Sequence, residues 1–228
     1  MIRLDISPVR LRQAANVRSR LRGELGISLV ELLVSMMIFA IILTLVGSMY
    51  ASMARTVALG NSSNQSTKVA ATTMNEVSRV IRFAAANPVL GQPQSDPAIS
   101  TFSAEALTMY SYVDADATTP KPIQISFTVD ASRRLVESRY AATPAAGFWI
   151  FATPTPYSTR ILAGGIGTPT GAELPLFSYE YQMVNGVQTI VAVQVNLKVT
   201  ADGNSVGQPV TLQNTVGMPN LGLPRSGQ

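Results

Sequence analysis

From Ile27 to Tyr50 the chain is apolar apart from one carboxylate, Glu31, and a few small polar residues, and Leu32 to Ala54 carries no charge. Such a run can satisfy its own backbone only as a helix, and about 20 residues of helix span a bilayer. The run therefore predicts a membrane-length helix near the N-terminus. Glu31 is the residue that needs a reason, since a carboxylate costs roughly 2.5–3.5 kcal/mol at the centre of a membrane helix. Ahead of it stand Gly26 and a leader in which Arg3, Arg10, Arg12, Arg18, Arg20 and Arg22 face only Asp5 and Glu24. The leader's net +4 equals that of the whole chain, so everything after it is formally neutral. The basic excess reads as a topology signal that keeps the leader in the cytoplasm and sends the C-terminal part across the membrane. No nucleic acid is directly expected as a partner.

The 228 residues leave room, beyond leader and helix, for about one globular domain. Cysteine and histidine are both absent. That removes disulfides, thiolate metal sites, the commonest general base and the usual triads. The expectation is a protein that is not an enzyme and needs no cofactor or metal. Other candidate motifs are weak. Asp114 and Asp116 lack the glycine and distal glutamate of a calcium loop. Gly164-Gly165-Ile166-Gly167 lacks the lysine and helix of a phosphate loop. Arg133-Arg134 reads as a polar turn, and Phe148-Trp149-Ile150-Phe151 as a mixed strand and core cluster.

Past the apolar run the helical signal continues in another style. Val69, Thr73, Val77, Val80, Ile81 and Ala84 form one stripe, opposite Ser66, Lys68, Asn75, Ser78, Arg79 and Arg82. One long helix is expected, able to bend at Gly60–Ser66 and stopped by Asn87-Pro88. Period two then takes over. Strands are expected near residues 105–113, 123–130, 134–140, 158–162, 176–182, 189–200 and 210–216, with turns at Asn185-Gly186 and Asp202-Gly203-Asn204. The resulting order is α+β, a long N-terminal helix laid against an antiparallel sheet.

Gly26-Ile27-Ser28-Leu29-Val30-Glu31-Leu32-Leu33, behind a basic leader and ahead of a membrane-length helix, resembles the type IV prepilin signal. The helix-then-sheet order is similar to the type IV pilin fold. More loosely, Pro175–Tyr179, Ile190–Val199 and Val210–Asn214 resemble the strands of large minor pilins and J-type pseudopilins. The chain departs from many pilins in lacking paired C-terminal cysteines, and from most in having Ile27 where phenylalanine is commoner.

The resemblance implies a division into a cleaved cytoplasmic leader (1–26), a transmembrane and assembly helix (27–54), an amphipathic half-helix (55–87), a β-rich pilin head (88–217) and a loose tail (218–228). It implies cleavage after Gly26 by a prepilin peptidase, N-methylation of the new terminus at Ile27, and assembly through Glu31. Glu31 stands about 6 Å of helix rise from the Ile27 amine. In an apolar bundle each charge would lessen the other's burial cost if paired between subunits. Implied partners are the peptidase, other pilin subunits, an inner-membrane assembly platform with its ATPase, and membrane lipid. The protein would sit in the cytoplasmic membrane, leader inside and head outside, before joining an extracytoplasmic filament. Type II secretion or DNA uptake are alternative outputs of such a filament. Another class is a membrane-anchored exported binding module, cut by signal peptidase after Ser52-Met53-Ala54. That reading leaves Glu31 without a role, and the apolar run exceeds the about 7–15 residues of an ordinary signal. Gly47 within the run would serve either local loosening or a close helix contact.

Overall fold

A computed structural model describes residues 27–92, 94–113, 121–152, 154–184, 186–200 and 209–221. Gly26 and the leader, the Asp114–Asp116 loop, Asn185 and the Asp202-Gly203-Asn204 turn lie outside the described residues. The chain forms two compact units, one through Ala54 and one from Arg55 onward. Helix α1, Leu29–Arg82, belongs to both.

No break occurs at Gly60–Ser66. Ser66 and Thr67 hydroxyls donate to the Ser62 and Ser63 carbonyls at 3.1 and 2.9 Å, a pattern that leaves the helical ladder in place. The helix ends at Arg82, earlier than Asn87-Pro88 requires. Beyond it the backbone is taken up by neighbouring chain: Tyr112 N–H donates to Phe83 C=O, Ala85 N–H to Tyr110 C=O, and Asn87 exchanges two bonds with Asp96. Proline sets the furthest possible end of the helix, and these sheet-edge bonds set the actual one.

Strands β1 (Ile99–Phe102), β2 (Ala106–Ser111), β3 (Ile123–Val129) and β4 (Leu135–Ala141) form an antiparallel sheet. A short ribbon, β5 (Thr143–Ala145) and β6 (Phe148–Ile150), follows before β7 (Ser158–Ala163) closes that sheet beside β4. Strands β8 (Phe177–Val184), β9 (Val187–Val199) and β10 (Val210–Gly217) make a second antiparallel sheet with β9 central. The class is α+β. Each strand expected from alternation is present, while β1 and β5 are too short to show it.

The buried stripe of α1, including Ala70, Met74, Val77, Val80, Ile81 and Ala84, shares one core with both sheets. Leu107, Met109, Ile125, Phe127 and Leu135 come from the first sheet, and Phe177, Val193, Val195, Leu197 and Val216 from the second. Two serines assigned to the polar side are buried instead, Ser66 and Ser78. Ser78 accepts a bond from Asn214 Nδ2 at 3.0 Å, so its hydroxyl is satisfied where a larger side chain would hold helix and sheet apart. In β9 the alternation reverses at Val191, the extra residue of a bulge opposite Glu180 and Tyr181. Ile190 therefore packs against the core rather than with Ala192 and Gln194.

Two further expectations are corrected. Residues 218–221 are not loose: Met218 is in the core, its N–H bonded to Val191 C=O at 3.0 Å, and Asn220 Nδ2 reaches Arg82 C=O. Phe148 and Trp149 are strand residues but lie half-buried outside the main core, with Phe151 against Tyr110, ring centroids 5.0 Å apart. Of the glycines at 164–167, Gly165 serves a close backbone approach and Gly167 leaves room for the Lys198 side chain. Gly165 has φ +62°, and a Cβ there would lie 2.3 Å from the Thr200 carbonyl oxygen. Arg133 locks this loop by donating to Ile166 and Gly167 carbonyls at 3.0 and 2.9 Å.

Phe127 is fully buried at the centre of the core. Phe127→Ala should lower unfolding stability by about 3–5 kcal/mol, measured by urea titration of the detergent-solubilised chain.

Candidate functional site

The first unit consists, as described, of Ile27, Ser28 and the apolar part of α1. Every residue from Ile27 to Asn61 is exposed, including large side chains pointing in all directions such as Leu33, Met37, Phe39, Ile42 and Leu45. The helix is long and apolar enough to cross a membrane. Two of its hydroxyls are satisfied by the helix itself: Thr44 donates to Ala40 C=O at 2.8 Å and Ser48 to Leu45 C=O at 2.8 Å. Gly47 is helical and has no other part of the chain near it. A helix apolar on all sides requires lipid or other helices around it.

Ser28 precedes the helix and Glu31 lies in its first turn. The helix dipole favours a carboxylate there by roughly 0.3–1 kcal/mol, less than the cost of carrying it into hydrocarbon. Among the described residues Glu31 has no ion pair or hydrogen-bond partner, and Ile27, 70% exposed, is equally uncovered. The structure thus places Ile27 and Glu31 at one end of an uncovered apolar helix. Gly26 is outside the described residues.

The second unit holds a charged cluster that periodicity alone does not reveal. In β4, Leu135, Glu137 and Arg139 share the face turned to the helix, and register sets Glu137 opposite Arg160 of β7. Glu137 is fully buried. Its carboxylate accepts from Arg139 Nε at 2.5 Å and Arg160 Nε at 2.7 Å. From α1, Glu76 accepts from Arg79 Nη2 at 2.9 Å, from Arg139 Nη2 at 3.0 Å and from Arg160. Burial pushes the Glu76 carboxyl up, but the Arg79 hydrogen bond and the charges of Arg79, Arg160 and Arg139 outweigh it and hold it below the ordinary glutamate value. Arg79 is correspondingly pushed up by its bond to Glu76. The network ties α1 to the edge of the first sheet. One signal for it was present in the sequence, a glutamate on the same strand face as Leu135.

Two outcomes follow from the network. Glu137→Gln leaves two guanidinium groups without their buried counter-charge, and should cost about 3–5 kcal/mol in chemical denaturation. Because Glu76 titrates lower when folded than unfolded, its contribution is complete above the ordinary glutamate range and disappears as pH falls through its folded value. Thermal melts from pH 7 to pH 3 should therefore fall less steeply for Glu76→Gln than for the unsubstituted chain.

No protein-family model matches this chain, and no curated protein matches it significantly.

Proposed function

We propose that the chain is a minor pilin or pseudopilin precursor, cut after Gly26 by a prepilin peptidase and assembled through α1 into a type IV pilus-like filament. It acts by assembly and catalyses no reaction. The observation that carries this reading is the apolar helix, exposed on all sides, with one carboxylate in its first turn that has no partner among the described residues, continuous in sequence with an α+β head. Lipid covers such a helix before assembly, and the helices of neighbouring subunits cover it afterwards. Glu31 supplies the specificity that grease lacks. The free amine at Ile27 of another subunit is the complementary charge, and pairing the two fixes the axial register of helix against helix. Inner-membrane platform and ATPase partners follow from this reading, as does a cytoplasmic leader with an exported head.

The cut site is tested by N-terminal sequencing of the protein recovered from membranes. A start at Ile27 supports the proposal. A start at Arg55 overturns it in favour of an exported module, and a retained leader overturns it outright. Glu31→Val should be cleaved normally yet fall at least about tenfold in recovered filaments relative to the membrane pool, since loss of one member of a buried pair costs roughly 3–5 kcal/mol. Undiminished recovery would remove the register role of Glu31.

A further inference from the structure

The network of Glu76, Glu137, Arg79, Arg139 and Arg160 sets three guanidinium groups against two carboxylates, leaving one positive charge in excess. Arg79 engages Glu76 through Nε and Nη2, and Arg160 engages Glu137 and Glu76 through Nε and Nη2. Among the described residues the Nη1 group of each donates to nothing. Both arginines are half-exposed, and both line a groove of about 450 Å³ between α1 and β7. Ile161 and Leu162 give that groove an apolar side, and Thr72 and Asn75 a polar one. An arginine on an open surface is free to rotate away from a ligand. Here the buried Glu137 and the partly buried Glu76 hold each guanidinium plane, so the ordering cost of binding is already met.

We propose that this groove is a carboxylate-binding site. One carboxylate bridges the free Nη1 groups of Arg79 and Arg160, with its aliphatic stem along Ile161 and Leu162. Charge selects the class: a monocarboxylate brings the network to neutrality, whereas a phosphate dianion overshoots it. The carboxylate belongs either to a small molecule or to an Asp or Glu side chain of a protein seated on the groove. The site does not depend on the filament reading.

The test uses the full chain in detergent micelles, labelled with ¹⁵N-arginine, at constant ionic strength. Sodium acetate should shift the Arg79 and Arg160 side-chain signals to saturation, and sodium chloride should not. Arg79→Gln removes the excess charge while Glu76 keeps Arg139 and Arg160, and it should raise half-saturating acetate about tenfold or more. Arg82→Gln makes the same charge change outside the network and should leave binding unaltered. Ile161→Glu, at an exposed position, supplies an internal carboxylate and should abolish the acetate response while every member of the network stays in place. A blocked Gly-Glu-Gly peptide that saturates below acetate assigns the site to protein side chains, and acetate binding without peptide binding assigns it to small carboxylates. Linear shifts, equal shifts with chloride, tighter binding of phosphate than of acetate, or an unaltered response in Arg79→Gln and Ile161→Glu would each overturn the proposal.

Discussion

Helix α1 changes the solvent it requires along its own length. Between Leu29 and Asn61 its apolar side chains face every direction and are all exposed. Between Ala70 and Ile81 they narrow to one stripe, and that stripe is buried. At about 25 cal/mol per Å² of apolar surface, the uncovered part is too large to leave in water. The buried part organises the second unit. Both sheets pack on it, and its residues are shared by a single core. Remove the stripe and the two sheets lose the surface they hold in common.

Charge reinforces what the stripe begins. A hydrophobic stripe sets which side of a helix faces a sheet, but it tolerates sliding along the helix axis. The Glu76 and Glu137 network does not, because guanidinium forks donate to carboxylates in few geometries. Thr73 donating to Leu162 C=O at 2.9 Å, Ser111 donating to Val80 C=O at 2.9 Å and Asn214 donating to Ser78 act in the same way. Each is a polar pair inside an otherwise apolar contact, and each is satisfied only at one register. The same rigidity presets the free ends of Arg79 and Arg160 at the groove.

The elements were largely legible. Ile123–Val129 and Val193–Val199 alternate because one face is buried, and alternation is what burial of one face looks like in sequence. Short or interrupted pieces escaped. Ile99–Phe102 has four residues, and Thr143–Ala145 contains a proline that sheet interiors exclude. The reversal at Val191 was hidden because a bulge leaves composition unchanged and alters only pairing. Of the candidate site, Ile27 and Glu31 stood out because a lone charge in a greasy run has no local explanation. Glu137 did not, because its burial becomes tolerable only through Arg139 and Arg160, and Arg160 comes from a distant part of the chain.

Sequence by itself determined the membrane-length helix, its lone carboxylate, the switch from an all-round apolar surface to a stripe, and the α+β order. These rest on local periodicity and on the cost of apolar surface in water, both of which act within a few residues. Tertiary structure alone decided that α1 stops at Arg82, that Ser66 and Ser78 turn inward, that Met218 joins the core, and that five charged side chains converge between α1 and β7. Each depends on which backbone or side-chain group from far along the chain arrives to satisfy a buried polar atom. That is a property of packing, which residue order does not show.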